Sequence, residues 1–341
     1  MKHLPFKEIL TPIAVLAFAL GTPSLAQDPL LLETIKRSKE ARDANASMLR
    51  TAVATGKIKY SLQSPNQEPV QILDADIQVF YEAPKFRIHL AYETWLKEQT
   101  NDGTKSAVEF KKWLPSSISE QVIIYDGKHI TTVSKLRPSP TDARPESEGS
   151  VCFSFSKMGI MRGAGFPFED PITLWSQPLQ LENLDTKNTT LTPFTGGGYT
   201  GLLTKNTYRM KFFMFSDFGY DLRRVSSYRT GESQPFRDYL LHWEESNGAF
   251  YVQKFTNVVA TANQNTGSTS PTLKRLSIEY SNFEANVPID PAAFTLESVS
   301  VPAGTVFLDK RANVGGGPKK LVYTDSGLQS LDEVDTKENG L

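Results

Sequence analysis

Residues 75–92 read ADIQVFYEAPKFRIHLAY and contain two runs in which apolar and polar side chains alternate. The apolar positions of these runs are Ile77, Val79, Tyr81, Phe86, Ile88, Leu90 and Tyr92. Because successive side chains of a strand point to opposite faces, each run predicts a strand with one buried and one solvated face. Pro84 separates the runs and suits a turn, so the stretch predicts two consecutive strands.

The same two-residue period continues on both sides of this pair. It predicts further strands at 58–62, 122–125, 130–133, 151–155, 208–215, 222–228, 237–244, 250–258 and 276–280. Asp126-Gly127 and Asn247-Gly248 accept the positive φ angles of tight turns and therefore predict hairpins. Strands that follow one another with few helical patterns between them predict antiparallel meanders rather than βαβ units.

A partly helical pattern precedes these strands. Asp28-Pro29 suits a helix start, because Asp can cap free N–H groups and Pro tolerates the first helical position. The pattern runs from Leu30 to Thr55, is weakest at Asp43-Ala44-Asn45, and is followed by Gly56, which is placed to end the helix. We therefore expect a mainly β (α+β) fold. In it, the strands form a single large curved antiparallel sheet, and the N-terminal helix packs on its concave side.

Residues 1–26 have the pattern of a cleaved signal peptide. Lys2 and Lys7 precede an apolar run at 9–20, and Ser24-Leu25-Ala26 matches the small-x-small site of signal peptidase. The run is shorter than the ~20 residues that span a bilayer. No lipobox cysteine stands at the cut, so we expect a periplasmic or secreted protein without a lipid anchor or transmembrane segment.

The mature chain is expected to form one domain at 27–309, followed by a flexible tail at 310–341. The tail contains Gly315-Gly316-Gly317-Pro318 and an acidic end, a composition typical of loosely ordered segments. We also expect a short helix at 168–177, and long loops at 97–119, 137–149 and 183–206. The formal net charge of −1 disfavours nucleic acid as a partner, since such partners require a basic face.

Signals for catalysis and for metal binding are weak. His89, His129 and His242 lie far apart without the usual ligand spacing, so we expect no metal, no cofactor and no enzymatic activity. Residues 196–201 fit G-x-G-x-x-G but lack the strand and helix that a dinucleotide site needs, which favours a flexible loop. Cys152 is the only cysteine and is expected to pack on a strand.

Aromatic side chains recur on the predicted strand faces. The candidate ligand-binding residues are Tyr60, Tyr81, Phe86, Tyr92, Tyr208, Phe212, Trp243, Tyr251 and Phe255. For any one of them, core packing is the commoner role. Together, on a bent sheet closed by a helix, they predict an apolar cavity that suits acyl chains.

The motifs in this order resemble those of the LolA-like superfamily, whose members include periplasmic outer-membrane lipoprotein carriers. Residues 75–88 resemble its strand-proline-strand opening, 125–130 the hairpin that follows, and 287–296 its closing element. Residues 302–309 extend that ending in the manner of secreted planctomycete-type relatives. The resemblance implies an incomplete β-barrel with a helical lid over a hydrophobic cavity. It also implies the carriage of lipoprotein acyl chains or the sensing of envelope lipids.

Three hypotheses follow for the function. The first is a non-enzymatic periplasmic binding protein that holds lipid or lipoprotein acyl chains, with the helix at 31–53 as its lid. The second is a structural or protein-interaction module of the bacterial cell envelope, whose concave side is filled by its own side chains. The third and least favoured is a secreted hydrolase, because a Ser-His-Asp triad can assemble from distant positions around His242 or His129.

Overall fold

The computed structural model describes residues 29–65, 67–99, 112–115, 117–138, 146–152, 185–216, 221–261, 271–311 and 319–331. The signal peptide predicted at 1–26 and the helix predicted at 168–177 lie outside these residues. Helix α1 spans Pro29–Met48.

The described strands are β1 (Thr51–Gln63), β2 (Val70–Glu82), β3 (Lys85–Gln99), β4 (Lys112–Pro115), β5 (Ile118–Tyr125), β6 (Ile130–Leu136), β7 (Ser147–Cys152), β8 (Thr189–Phe194), β9 (Gly198–Thr204), β10 (Tyr208–Phe215), β11 (Asp221–Arg229), β12 (Arg237–Ser246), β13 (Ala249–Thr261), β14 (Thr272–Ala285), β15 (Val306–Asp309), β16 (Lys319–Thr324) and β17 (Gly327–Ser330). Short 3₁₀ helices lie at Thr186–Asn188, Pro291–Phe294 and Leu296–Val299.

The strands form one continuous curved sheet. Its spatial order is β8-β9-β10-β11-β12-β13-β14-β1-β2-β3-β5-β6-β7-β15-β16-β17, and β4 pairs with Leu96–Gln99 at the end of β3, beyond the stretch that pairs with β5. Every pairing is antiparallel except β7 with β15, which is parallel. Among the described strands no pairing joins β8 to β17, so the sheet stays open. The predicted mainly β fold with one N-terminal helix is confirmed.

Strand β1 occupies the middle of this sheet, between β14 and β2. The helix predicted to reach Thr55 ends instead at Met48, and Gly56 lies inside β1. Ala52 and Ala54 are fully buried, whereas Thr51 and Val53 are only half-buried. This two-residue period is that of a strand, although the same apolar positions also fit a helical spacing. Gly56 sits at a bulge, where an added Cβ would overlap the carbonyl oxygen of Glu279 on β14. The glycine therefore permits close strand approach and does not end the helix.

The glycine-rich motif at 196–201 lies at a hairpin. Residues 195–197 form the turn between β8 and β9, and Gly196 and Gly197 adopt positive φ angles of 119° and 82°. Gly201 lies in β9 opposite Phe212, whose ring fills the space that a Cβ would need. The long loop predicted at 183–206 was therefore wrong for residues 189–204, because the glycines serve a turn and close packing.

The segment predicted as a flexible tail also contains regular structure. Strands β16 and β17 form a hairpin that continues the sheet beyond β15. Phe307 of β15 is fully buried over Gly149 of β7. Leu321 and Leu328 of the hairpin pack on the same hydrophobic cluster as Phe307. Residues 319–330 thus differ from the loosely ordered tail that composition predicted, because apolar side chains in this short hairpin find buried partners.

The face of the sheet that carries the main core is called the inner face below. Its largest hydrophobic cluster includes Ile58, Phe86, Phe255 and Ile278. A second cluster joins Leu31 of α1 to side chains of β8, β10 and β11, and half-buried Tyr239 packs against both clusters. Helix α1 therefore lies on the inner face, as predicted.

The opposite, outer face is covered at one end by the segment after β14. Its 3₁₀ helices place Val299 and Val301 in one cluster with Val122 and Val133 of the sheet. Ile123 of β5 and Ile130 of β6 belong to the main inner-face cluster, so β5 and β6 are buried on both faces. Helix α1 therefore contacts the inner face, while the segment after β14 covers part of the outer face and leaves the inner face uncovered.

Candidate functional site

The predicted ligand-binding residues separate into three groups in the structure. Those that belong to or pack against the main inner-face cluster are Tyr60, Tyr81, Phe86, Tyr92, Trp243, Tyr251 and Phe255. Phe212 belongs to the smaller cluster beneath Leu31 of α1. Tyr208 is half-buried near the end of β10, where Lys205 Nζ lies 5.9 Å from its ring centroid. The structure thus brings seven of the nine together, and their contact with a ligand stays a prediction.

Most of these aromatic side chains already have tight packing partners. The ring of Tyr251 stacks on Phe283 with centroids 3.8 Å apart, and Trp243 Nε1 donates a hydrogen bond to the carbonyl oxygen of Leu222 at 2.9 Å. Phe86 packs on Tyr125 at 5.4 Å between centroids. Such side chains shape the inner face. Tyr60 differs because it is only half-buried.

Strand register arranges the inner face in three successive rows. The core row contains Leu241, Phe255, Ile278, Ile58, Ala75 and Tyr92. The middle row contains Tyr239, Asn257, Leu276, Tyr60 and Leu73. The rim row contains Arg237, Val259, Lys274, Leu62 and Val70. Residues directly opposite each other on paired strands have neighbouring side chains on one face, so each row is a line of contacts.

Polarity changes steadily from row to row. The members of the core row are buried, with exposures of 0–6%. The middle row combines buried leucines with Asn257 and two tyrosines, and the rim row has Arg237 and Lys274 exposed to solvent. The inner face is therefore apolar within, mixed in between and cationic at its edge.

A second polar group lies on the same face beside the core row. Tyr92 donates a hydrogen bond to Gln121 Oε1 at 3.4 Å, and Gln121 Nε2 donates to Ser134 Oγ at 3.3 Å. All three side chains are buried, so the chain of bonds satisfies polar atoms that would otherwise lose their hydration. The strand predicted at 122–125 begins after Gln121, whereas β5 begins at Ile118, so the sequence pattern did not place Gln121 on this face.

The pKa values of three tyrosine hydroxyls of this face, those of Tyr60, Tyr92 and Tyr251, are raised, so these three stay protonated over the ordinary pH range. Burial raises the pKa of Tyr60 and of Tyr92. Burial, together with the neighbouring carboxylate of Glu244, raises the pKa of Tyr251 to about 12. Each hydroxyl is therefore a hydrogen-bond donor and acceptor rather than a charged group.

Helix α1 is fixed to the sheet at both ends. Leu31 near its start is 1% exposed in the smaller cluster. Near its end, Asn45 Nδ2 donates to the carbonyl oxygen of Phe250, and the N–H of Phe250 donates to Asn45 Oδ1, both at 2.7 Å. The amide of Asn45 thereby extends the pairing of β13 as a neighbouring strand would. The helix crosses the inner face between these two attachments.

The histidines proposed for a hydrolase occupy ordinary structural positions. His129 Nδ1 lies 3.5 Å from Asp126 Oδ2 in the β5–β6 turn, where the same Asp126 accepts the backbone N–H groups of Lys128 and His129. His242 is two-thirds exposed and lies 3.7 Å from Glu244 Oε1. Neither contact is a hydrogen bond from a serine, so within the described residues the secreted-hydrolase hypothesis stays a prediction.

His89 belongs to an ion-pair cluster on the outer face. Its Nε2 lies 3.3 Å from Glu120 Oε2, which also lies 3.1 Å from Lys135 Nζ. Partial burial opposes ionisation of Glu120, but hydrogen bonds from Lys135 and His89 outweigh it and lower the pKa of this carboxyl. Within the described ranges, no group of three or more His, Cys, Asp and Glu side chains could hold a metal ion. The same ranges contain no helix with the length and hydropathy to cross a membrane.

Comparison with known proteins gives likeness to solved structures alone. No family model matches the chain, and no curated protein matches it. It is similar to a DUF1329 family protein from Desulfovibrio piger, with 9% identity over 79% of this chain and 99% of that one, and a TM-score of 0.37.

A LolA superfamily protein from Nitrosomonas europaea is similar with 10% identity over 79% of this chain and 98% of that one, and a TM-score of 0.34. This second protein bears the name of the superfamily that residues 75–88 resemble. At these values the likeness carries no argument about function, which rests on the residues themselves.

Proposed function

We propose that this is an exported, non-enzymatic binding protein that holds the acyl chain of a lipid or lipoprotein against the inner face of its sheet. The observation that carries the proposal is the order of the three rows, from apolar core to cationic rim. An amphiphile has the same order from its chain to its head group. Helix α1, attached at both ends across this face, is placed to act as the cover.

The binding energy would come from apolar burial. Each CH₂ group removed from water contributes about 0.8 kcal/mol, so a chain of about ten buried groups contributes about 8 kcal/mol before the cost of ordering. No covalent step is needed for such binding. The aromatic side chains of the core row and its neighbours would then provide the wall.

Two leucines at the same level of the sheet offer a matched test. Leu62 lies in the rim row on the inner face, while Leu273, which is 36% exposed, lies on the outer face next to Lys274. We expect Leu62→Gln to weaken binding of a fluorescent C12 fatty acid about tenfold, because apolar surface beside the end of the chain that carries the head group becomes polar. Leu273→Gln should leave the dissociation constant unchanged.

The measurement is a fluorescence titration of both variants and the unaltered protein, with thermal unfolding as a check on folding. Equal loss in both variants, or the absence of saturable binding to the unaltered protein, would contradict the proposal. Native mass spectrometry of gently extracted protein should show a lipid-sized mass addition that Leu62→Gln reduces.

The envelope-module alternative is favoured by one observation. Phe86, Phe212 and Phe255 are 1–2% exposed and thus already covered by the protein's own side chains. If the inner face is a filled core, alkyl probes will fail to bind and extracted protein will carry no lipid. The same titration therefore separates a binding protein from a purely structural one.

A further inference from the structure

Asn257 is the one middle-row residue with a buried side-chain polar atom that has no hydrogen-bond partner. Its side chain is 7% exposed on β13, in line with Tyr239 on one side and Leu276 on the other. The side-chain oxygen Oδ1 is buried and accepts no hydrogen bond from the part of the chain that the structure describes. A buried acceptor without a donor is costly, which makes this oxygen a candidate for a bond to a ligand.

The neighbours of Asn257 place this oxygen at the boundary between apolar and polar surface. Toward the core row, the next inner-face position on β13 is Phe255, which is 2% exposed. Toward the rim, the next is half-buried Val259, which stands between Arg237 and Lys274 in the register. A ligand whose chain lies over Phe255 would therefore pass Asn257 before it reaches solvent.

The rim beyond Asn257 is cationic. Arg237 and Lys274 are both exposed, and neither forms an ion pair with another described residue. The guanidinium of Arg237 lies 5.7 Å from the ring centroid of Tyr239, which holds it over the inner face. The rim row contains two cations and no carboxylate, so this row carries a net positive charge. Such a pair of cations favours an anionic group.

We infer that the inner face selects an anionic amphiphile that carries an N–H or O–H donor where its chain meets its head group. The apolar chain lies along the core row, the donor bonds to Asn257 Oδ1, and the anionic group lies between Arg237 and Lys274. This inference rests on the proposed function and adds the chemistry of the ligand to it.

Three C12 probes separate these features. N-dodecanoylglycine has the amide N–H and a carboxylate, N-dodecanoyl-N-methylglycine has the same charge without the N–H, and N-(2-hydroxyethyl)dodecanamide has the N–H without the charge. Isothermal titration below the micelle-forming concentration should rank the first probe tightest. We expect the N-methyl probe to bind roughly tenfold more weakly, because the buried oxygen stays without a donor.

Variants assign the effects to residues. In Asn257→Leu, the first two probes should bind with about equal dissociation constants. If the leucine variant fails to fold, Asn257→Ser is measured in its place. Lys274→Gln should weaken both anionic probes alike and leave the neutral amide unchanged. Arg275→Gln, which removes the adjacent exposed cation on the outer face, is the matched control and should change none of them.

The outcomes distinguish this inference from the proposed function. If no probe binds, the proposed function fails. If all three probes bind with equal affinity to the unaltered protein, acyl binding stands and the selection for donor and charge is overturned. That second result needs no variant, so it holds even where a substitution disturbs folding.

Discussion

At the scale of single residues, two glycines decide how closely neighbouring groups approach. A Cβ at Gly56 would overlap backbone atoms of Glu279 and Tyr280, whereas a Cβ at Gly201 would overlap the ring of Phe212. The backbone of a paired strand can shift only if the sheet shifts with it, whereas the Phe212 ring can be made smaller by a second substitution. The two positions therefore differ in how far a second substitution can repair them.

We predict that Gly201→Ala lowers the free energy of unfolding by about 2 kcal/mol through overpacking, and that adding Phe212→Leu recovers part of the loss. Gly56→Ala should cost more and should not be repaired by Tyr280→Leu, because the obstructing atoms are backbone. Urea unfolding of the single and double variants measures both couplings. Equal recovery at the two sites would contradict this explanation.

Some residues of the candidate site could be predicted from the sequence and others could not. The aromatic residues were found because alternation alone assigns them to one face of a strand. Asn257 lies two residues after Phe255, so strand alternation places both on the same buried face. The residue was not predicted as part of the site because the prediction considered aromatic side chains alone. The alignment of Asn257 with Leu276 and Tyr60, and of Val259 with Lys274, depends on the register between distant strands, which no local pattern contains.

At the scale of elements, α1 packs on the sheet mainly through polar side chains. Among its residues the buried ones are Leu31, Thr34, Ser38 and Asn45, so only one of them is a large apolar side chain. A helix with so little apolar contact depends on its specific bonds to the sheet. Two such bonds join the side chain of Asn45 to the backbone of Phe250, both at 2.7 Å.

We predict that Asn45→Ala lowers the free energy of unfolding by about 2 kcal/mol, because it leaves a backbone N–H and C=O of β13 without partners. Hydrogen exchange should accelerate in the second half of α1 and at the start of β13, and stay unchanged in β5 and β6. Ser47→Ala, which removes an exposed bond within the helix, is the control and should change neither property. Faster exchange across the whole sheet would instead indicate general unfolding.

The end of α1 shows why an element boundary was mispredicted. Ala52 and Val53 fit the helical spacing of the preceding residues, and Gly56 is a common residue after a helix. The strand wins because residues from Thr51 onward pair on both sides, with β2 and with β14. The partners of Thr51 and Ala52 are Glu82 and Ala285, which lie outside any sequence window of about eleven to eighteen residues. A periodicity measured in such a window therefore does not include these pairings.

At the scale of the whole molecule, the sheet consists of two chain segments that meet at β1. The first segment supplies β1 to β7 and the second supplies β8 to β17, joined by the β1–β14 and β7–β15 pairings. The β1–β14 pairing runs along almost the full length of β1, from Ala52 to Gln63. Two such contacts should hold the segments together even without a covalent link.

We predict that a protease site inserted directly before Asp185 can be cut without separating the two pieces. The cleaved protein should elute from size-exclusion chromatography at the position of the uncut protein and dissociate only in denaturant. A charged substitution in the shared pairing, Ile278→Asp, should release the pieces after cleavage, because Ile278 lies opposite Ile58 in the core row. Separation of the unaltered cleaved pieces would show that the pairings are too weak.

The central position of β1 also has a consequence for the nascent chain. In a chain that emerges N-terminus first, β1 appears early and can pair with β2 at once, but its other edge has no partner until residues 272–285 have emerged. An open strand edge of this length is a template for mispairing and aggregation. Until almost the whole chain has emerged, that edge needs protection by a chaperone or by a delay in compaction.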